Sequence, residues 1–234
     1  MTDAELHTLL AERLAQVEAT IQAACERTHR DRSQVTLLAV TKTVSPRVAR
    51  VITEIGIHDL GESRPQELWR KAEAIPGVRW HLTGHLQRNK LDRTVPLLHL
   101  LHSADSDRLL EALHQFGSRQ GRPVPLLLEL NCAREAAKGG FPPEAISELG
   151  DRLPSLSGLR VEGLMTMAPY QDNPELCRPV FQELRTLREQ LQKLTGFPLP
   201  VLSMGMSNDY AVAIEEGATI IRLGSVLFAG LEGE

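Results

Sequence analysis

The sequence has 234 residues, of which 42% are hydrophobic and 24% are charged, and its formal net charge is −4. These proportions are typical of a soluble globular protein and exclude a disordered, collagenous or coiled-coil chain. The slightly acidic balance gives no electrostatic basis for a nucleic-acid partner or an anionic membrane surface.

The cysteines and the start of the chain indicate a compartment. Cys25, Cys132 and Cys177 are far apart and odd in number, which is typical of reduced thiols rather than of a disulfide framework or a zinc site. The first residues lack the basic-then-apolar order of a signal peptide. No apolar run approaches the ~20 residues needed to cross a bilayer. We therefore expect a soluble, cytoplasmic protein without a structural metal.

The chain begins with a helical pattern and then changes to short apolar runs. Over residues 3–29 apolar side chains recur three or four positions apart, which predicts a long amphipathic helix. Thr2 and Glu5 have the spacing of a capping box at its start. Residues 35–41 read VTLLAVT, which indicates a strand covered on both faces. Pro46 then predicts a helix to about residue 54, because proline is tolerated at the first helical position.

The same alternation continues through the rest of the chain. The further predicted strands cover residues 58–61, 79–83, 97–103, 124–131, 159–165, 201–204 and 219–223. The further helical patterns cover 65–74, 105–116, 143–152, 174–194 and 208–216, with a weaker one at 87–94. Each predicted strand except the last is thus followed by a helix. Strict alternation predicts a parallel sheet.

Eight such repeats in ~200 residues are typical of a (β/α)₈ TIM barrel. A doubly wound open sheet is the alternative, but it would be expected to have a Gly-rich turn after its first strand, and none is present. We expect residues 1–234 to form a single barrel domain. Residues 1–30 would be an extra helix packed on the barrel, or would take the place of the missing last helix.

Two turns rich in glycine and serine follow the seventh and eighth predicted strands. One contains Gly205 and Ser207, and the other contains Gly224 and Ser225. Phosphate sites of (β/α)₈ barrels often form after these two strands, where the N–H groups of a helix N-terminus bind anions. We expect Ser207 to cap the helix that follows it. Sharp turns without a ligand are the alternative, since both residue types are common in turns. The occurrence of two such turns after the seventh and eighth strands favours a bound phosphate.

Lys42 directly follows the first strand, so its side chain is expected to project into the barrel mouth. Desolvation there would disfavour the ammonium form and leave a neutral amine that can form a Schiff base. A solvated lysine just past a strand end is the alternative. A lysine together with a phosphate site indicates either Schiff-base chemistry on a sugar phosphate or a pyridoxal 5′-phosphate (PLP) cofactor.

Several segments between residues 39 and 228 form a recognisable series. They are AVTKT from residue 39, GESRPQE from 61, WHLTGHLQRNK from 80, EGLMTM from 162, LSMGMS from 202 and RLGSVLF from 222, together with Asn131, Glu135, Lys138, Gly140 and Asp209. In this order they resemble the YggS/PROSC family of pyridoxal phosphate homeostasis proteins over nearly the whole chain. The resemblance implies a barrel of the alanine racemase N-terminal type that binds PLP.

The resemblance also implies roles for individual residues. Lys42 would hold PLP as an internal aldimine, and Arg222 would face the pyridine nitrogen. A cation at that position disfavours protonation of the ring and makes it a poorer electron sink. Backbone amides and hydroxyls would hold the phosphate at Ser207, Gly224 and Ser225. The further candidate contacts are Met206, Ser63 and His85.

Two of these candidates and one neighbour carry alternatives. Ser63 stands where the family usually has asparagine, and its shorter side chain implies a contact that is lost or bridged by water. His85 could act on an amine ligand, but we favour a structural histidine that bonds a loop carbonyl. His81 lies within the third predicted strand, and we expect it to be a packing residue.

The resemblance favours a protein of intracellular PLP homeostasis that carries or buffers the cofactor without robust catalysis. Alanine racemase needs a base on each face of its cofactor, and one of them lies on a separate C-terminal domain. Because the sequence ends at Glu234, we expect that domain to be absent. A slow PLP-dependent racemase or transaminase is the alternative, and an aldolase without PLP is a third hypothesis. We expect a monomer whose partners are PLP and, further, PLP-dependent apoenzymes or amino acids.

Overall fold

Short parallel strands form the centre of the molecule in the computed structural model, which describes residues 1–135 and 138–232. The strands are β1 (Thr36–Val40), β2 (Asp59–Glu62), β3 (Arg79–Leu82), β4 (Leu98–Ala104), β5 (Val124–Glu129), β6 (Leu159–Met165), β7 (Val201–Ser203) and β8 (Ile220–Leu223). Each pairs in parallel with the next along the chain, and β8 pairs with β1 to close the barrel. The predicted (β/α)₈ barrel is confirmed.

Helices cover the outside of the barrel. The α-helices are α1 (Asp3–Arg27), α2 (Pro46–Glu54), α3 (Pro65–Ala74), α4 (Leu91–Thr94), α5 (Asp107–Gln120), α6 (Ile146–Arg152), α7 (Arg178–Thr195), α8 (Tyr210–Glu215) and α9 (Ser225–Phe228). Short 3₁₀ turns lie at Arg32–Gln34, Arg88–Lys90, Val95–Leu97, Pro143–Ala145, Leu153–Ser155 and Pro174–Cys177.

Local chemistry explains where the best-predicted helices begin. The backbone N–H of Glu5 donates to Thr2 Oγ1 and the N–H of Thr2 donates to Glu5 Oε2, so the expected capping box is present at the start of α1. Ser45 Oγ accepts the N–H of Val48, and Pro46 occupies the first turn of α2. The predicted starts of both helices are confirmed. They could be predicted because the contacts that form them join residues no more than three positions apart.

Other boundaries differ from the sequence prediction. The weak pattern at 87–94 forms a 3₁₀ turn followed by the single-turn helix α4. The predicted helix at 105–116 is shifted: α5 continues to Gln120 and ends where Gly121 takes a left-handed conformation with φ of 63°. Helix α8 begins at Tyr210 rather than at residue 208.

The N-terminal helix occupies the place of the eighth barrel helix. Contrary to expectation β8 is followed by a helix, but α9 has only four residues. Helix α1 packs against α2, α8 and α9, and thereby covers the junction between β8 and β1. The guanidinium of Arg13 donates to the carbonyl of Leu227, and that of Arg30 donates to the carbonyls of Ile214 and Ala218. Both alternatives from the sequence are therefore partly correct.

The barrel interior contains both apolar and polar side chains. One apolar cluster is distinct from the core between the sheet and the helices, and it consists of Leu38, Leu100, Leu127, Met165 and Ile220. The buried polar side chains on the strands include His102, Ser203 and Arg222. In the described part of the chain no helix is long and apolar enough to cross a membrane. The three cysteines are buried and unpaired.

Candidate cofactor site

The turn after β1 carries Lys42. Thr41 is buried, Lys42 and Thr43 are exposed, and Val44 is buried again. The N–H of Val44 donates to the carbonyl of Thr41 over 3.1 Å and closes the turn before α2 begins. The structure thus places Lys42 at the carboxyl-end rim of the barrel, as expected, but with its side chain in solvent. The expectation that the barrel mouth desolvates Lys42 is wrong, because its turn extends past the buried end of the strand.

A buried ion pair supports this turn from below. Lys71 Nζ, on α3, lies 2.6 Å from Glu62 Oε1 and 2.6 Å from the carbonyl oxygen of Thr41. Thr41 Oγ1 donates to the same Glu62 oxygen over 2.6 Å. The Lys71 and Glu62 side chains are 1% and 0% exposed. Among the described residues, the buried Glu62 Oε2 has no hydrogen-bond partner. The residue before Lys42 is therefore held by a charged group inside the protein.

The loops after β7 and β8 touch each other through Ser207. Its Oγ accepts the N–H of Gly224 over 3.3 Å and the N–H of Val226 over 3.2 Å. The expectation that Ser207 caps the helix after β7 is wrong: the N-cap of α8 is Asp209, whose Oδ1 accepts the N–H of Met206 over 2.6 Å. Ser207 instead satisfies two N–H groups at the start of α9.

Gly205 gives the loop after β7 its tight turn. Its φ of +94° is a left-handed conformation, and a Cβ at this position would lie 2.6 Å from Ala213 Cβ. Met206 and Ser207 follow it as half-buried residues. A side chain at position 205 would displace this loop from its contact with Gly224.

The loop after β8 is also next to the turn that carries Lys42. Ala39 of β1 pairs with Leu223 of β8. A Cβ on Gly224 would lie 3.4 Å from the carbonyl oxygen of Val40, two residues before Lys42. Gly224 is half-buried and Ser225 is exposed at the first position of α9. The predicted phosphate-binding residues and the lysine thus share one part of the rim.

Arg222 lies inside the barrel beneath this part of the rim. Its side-chain nitrogens donate to Ser203 Oγ over 2.7 Å and to the carbonyl of Thr166 over 2.8 Å. Burial lowers the pKa of Arg222 to about 10, and the carboxylates of Asp209 and Glu129 oppose that shift. The guanidinium therefore keeps its charge at neutral pH in a fixed orientation.

A group of acidic side chains and one histidine lies across the barrel mouth. Burial, and then the charge of Asp105, raise the pKa of Glu129 at the end of β5 to about 7. Asp105 Oδ2 lies 2.7 Å from Nδ1 of His85, which is 64% exposed. His85 therefore bonds a carboxylate, not the loop carbonyl that we expected. The sequence analysis did not single out Glu129, although a glutamate that ends a strand of apolar residues is an identifiable signal.

Ser63 lies in the loop between β2 and α3 and is half-buried. A Cβ on Gly84 would lie 2.2 Å from the Ser63 carbonyl oxygen, so the loops after β2 and β3 are in direct contact. The strands β7, β8, β1, β2 and β3 are consecutive around the closed barrel. All the candidate site residues therefore lie on one continuous arc, and they are Ser207 and Met206 after β7, Arg222, Gly224 and Ser225 on and after β8, Lys42 after β1, Ser63 after β2 and His85 after β3.

His81 is buried in β3, but it is more than a packing residue. Its Nε2 lies 3.1 Å from Asp59 Oδ1 and its Nδ1 lies 2.9 Å from His102 Nε2. The expectation of a packing role is corrected by these two hydrogen bonds. The partners of His81 are 21 and 22 residues away in the sequence, so no local motif could have indicated them.

Comparison with known proteins agrees with this architecture. Residues 13–232 match the family model of the alanine racemase N-terminal domain. A pyridoxal phosphate homeostasis protein of Aquifex aeolicus is 42% identical, over 93% of this chain and 96% of its own length. The chain belongs to the pyridoxal phosphate homeostasis proteins, within the alanine racemase N-terminal domain family. The family resemblance predicted from the sequence motifs is confirmed.

A second homeostasis protein and one solved structure extend this comparison. The pyridoxal phosphate homeostasis protein of Pseudomonas aeruginosa is 34% identical over 94% of each chain. The solved structure of PipY from Synechococcus elongatus PCC7942 with PLP bound has a TM-score of 0.80 and 32% identity, and the match covers 94% of this chain and 100% of PipY. PipY thus shares the barrel described above along its full length.

Proposed function

We propose that this protein binds PLP at the carboxyl-end rim and serves intracellular PLP homeostasis by carrying or buffering the cofactor. One observation carries the proposal: the loops after β7 and β8 are joined by Ser207 at the part of the rim that also holds Lys42. The PLP bound to PipY, a relative with the same barrel, gives the ligand its identity.

The residues present fit the chemical groups of PLP. The N–H groups of Gly224 and Val226 converge on Ser207 Oγ, and a phosphate oxygen that shared or replaced this acceptor would receive their hydrogen bonds. We assign the phosphate to this part of the rim, with the hydroxyls of Ser207 and Ser225 and the backbone of Met206 beside it. Arg222 is assigned to the pyridine nitrogen and Lys42 to the aldehyde. Ser63 and His85 remain candidate contacts on the neighbouring loops.

The charge of Arg222 supports carriage rather than turnover. PLP supplies an electrophilic aldehyde and, when its ring is protonated, an electron sink. A guanidinium beside the ring nitrogen disfavours that protonation. Arg222 is buried and bonded to Ser203 and Thr166, so it is held in place.

The exposure of Lys42 supports exchange with other molecules. Because Lys42 lies in an exposed turn, incoming PLP can reach its amine. Once PLP is bound there, other amines can reach the bound PLP and compete for it. Amino acids and the lysines of PLP-dependent apoenzymes are amines of this kind, and we propose them as recipients. We further propose that the protein acts as a single-domain monomer in the cytoplasm.

A second candidate function is a slow amino-acid racemase or transaminase. The observation that favours it is Glu129, a carboxyl group at the barrel mouth whose pKa of about 7 suits proton transfer at neutral pH. Loss of α-deuterium from labelled amino acids would measure this activity. Exchange that disappears in Glu129→Gln would support the enzyme, and its absence across the common amino acids would support carriage.

The binding proposal is tested by chemical trapping. The purified protein is incubated with PLP, reduced with borohydride and mapped by peptide mass. We expect the pyridoxyl group on Lys42, its loss in Lys42→Ala, and no change in Lys193→Ala, a control at an exposed lysine on α7. Folded protein whose Lys42 stays unmodified would refute the proposal.

A further inference from the structure

A chain of buried hydrogen bonds crosses the barrel interior. Asp59 Oδ1 lies 3.1 Å from His81 Nε2, and His81 Nδ1 lies 2.9 Å from His102 Nε2. His102 Nδ1 lies 2.9 Å from Ser203 Oγ, which accepts from Arg222 over 2.7 Å. All five side chains are buried. The chain joins β2, β3, β4, β7 and β8 across the interior of one barrel.

Donor and acceptor chemistry gives this chain one direction. A carboxylate and an arginine fix its two ends, because the first can only accept hydrogen bonds and the second can only donate them. His81 must therefore donate from Nε2 to Asp59, which leaves its Nδ1 to accept from His102 Nε2 when both rings are neutral. His102 Nδ1 then accepts from the Ser203 hydroxyl. With both histidines as Nε2–H tautomers, every bond in the chain has one donor and one acceptor.

The Asp59 end of this hydrogen-bond chain opens into a cavity of about 460 Å³ at the amino ends of the barrel strands, called here the amino-terminal cavity. Asp59 and His81 line it. The charged groups around His81 there are Asp59 and its partner Arg79. The exposed His99 is a titratable neighbour, and its ring centroid is 5.3 Å from that of His81. The pair Arg160 and Glu162 lines the same cavity. Solvent and protons thus reach one end of the chain, while the other end is Arg222.

We propose that Asp59, His81, His102 and Ser203 form a polar relay that orients Arg222 toward the cofactor ring and couples this orientation to the amino-terminal cavity. Only the cofactor part of this inference rests on the proposed function. The four residues act as positioning residues, since their contacts are with each other and with Arg222. Uptake of one proton from solvent by His81 would place that proton on Nδ1, which would then donate to His102 Nε2. His102 would stay neutral by losing its Nε2 proton and taking one on Nδ1, so that Nδ1 would donate to Ser203 Oγ and the acceptor offered to Arg222 would change.

The electrostatics of the chain agree with its neutral form. Burial lowers the pKa of His102 well below its ordinary value, and the nearby positive charge of Arg222 acts in the same direction. Burial alone would raise the pKa of Asp59, but hydrogen bonds from His81 and Arg79 keep it below its ordinary value. At the far end, Asp209 and Glu129 are the carboxylates that interact with Arg222. The terminal acceptor and the terminal donor of the chain are both charged at neutral pH.

The first experiment uses the protein without cofactor, so it does not depend on the proposed function. Imidazole ¹⁵N resonances distinguish the tautomers of histidine. We expect His81 and His102 both to be neutral Nε2–H tautomers at pH 7.5. A protonated ring or an Nδ1–H tautomer at either residue would overturn the relay, whatever PLP does.

The second experiment measures the pyridine ¹⁵N resonance of bound, labelled PLP in variants that do not touch the cofactor. We expect His81→Asn and His102→Asn to shift this resonance in the same direction and to alter its pH profile. His7→Asn, which removes an exposed histidine of α1, is the control and is expected to leave it unchanged. Folded His81→Asn and His102→Asn proteins with the unsubstituted resonance would overturn the proposal. If neither variant folds, the histidine tautomers measured in the first experiment decide whether the relay exists. Failure of PLP to load Lys42 in the unsubstituted protein would instead count against the proposed function.

Discussion

Beneath the Lys42 turn, two charged residues are removed completely from water. Lys71 and Glu62 replace their hydration with one ion pair and with hydrogen bonds to Thr41. An ion pair of this kind adds little net stability compared with apolar side chains of similar volume, but the loss of one partner leaves a buried charge. The pair therefore enforces the position of Thr41 more than it stabilises the fold.

We predict that Lys71→Met lowers the free energy of unfolding by about 3–5 kcal/mol, because Glu62 is left charged and unpaired. The double substitution Glu62→Leu and Lys71→Met is expected to recover most of that loss. Urea denaturation measures both, and Lys193→Met on the surface is the control. A single variant as stable as the unsubstituted protein would contradict the buried pair.

Glu129 links one residue to the pH dependence of stability. Its pKa is raised from 4.5 to about 7 in the folded protein, so the folded state binds the proton more tightly than the unfolded chain does. Its contribution is fully present below pH 4.5 and is lost as the pH rises through 7. The difference between the two pKa values corresponds to about 3 kcal/mol.

We predict that Glu129→Gln is more stable than the unsubstituted protein at pH 8 by about 3 kcal/mol, and that the advantage disappears near pH 4. Thermal unfolding across this pH range measures the effect. Glu148→Gln, at an exposed position, is the control. An advantage that is the same at both pH values would show that the proton on Glu129 is not its cause.

At the scale of elements, the loops after β7 and β8 act as one unit. The hydroxyl of Ser207 belongs to the first loop and satisfies N–H groups of the second. Ser225 is exposed and contributes no such bond between the loops in the described structure. Replacement of Ser207 should therefore lower the stability of the fold more than replacement of Ser225, although both serines are assigned to the phosphate.

We predict that Ser207→Ala lowers stability by about 1 kcal/mol, the usual cost of a lost cap, whereas Ser225→Ala leaves it within about 0.5 kcal/mol. The double variant is expected to remain folded and to retain PLP less well than either single variant. Dialysis of PLP-loaded protein measures retention, with Ser33→Ala as the control. Unchanged retention in the double variant would remove these residues from the phosphate site.

At the scale of the whole molecule, α1 completes the ring of helices. It packs on α2, which follows the first strand, and on α8 and α9, which follow the last two strands. Its buried side chains include Leu10 and Ile21, both 0% exposed. The stability of the barrel closure between β8 and β1 therefore depends on the first residues of the chain.

We predict that Ile21→Ala lowers the free energy of unfolding by about 3 kcal/mol through the lost burial and the cavity that it leaves. The whole protein is expected to unfold in one transition at a lower temperature. Gln16→Ala, on the exposed face of the same helix, is the control. A separate early transition of α1, with the barrel transition unchanged, would show that α1 does not stabilise the closure.

The sequence by itself determined the barrel, the capping box of α1, the start of α2 at Pro46 and the positions of Lys42, Gly224 and Ser225 at strand ends. These features follow from the periodicity of apolar residues and from contacts between near neighbours. The family motifs added the cofactor, which periodicity could not identify.

Only the tertiary structure decided which polar groups meet. The bond between His102 and Ser203 joins residues 101 positions apart, and the bond between Ser203 and Arg222 joins residues 19 apart. The same holds for Lys71 beneath Thr41 and for the exposure of Lys42. Burial and hydrogen bonding depend on how strands and loops pack in three dimensions, and the order of residues along one strand does not encode what lies across the barrel.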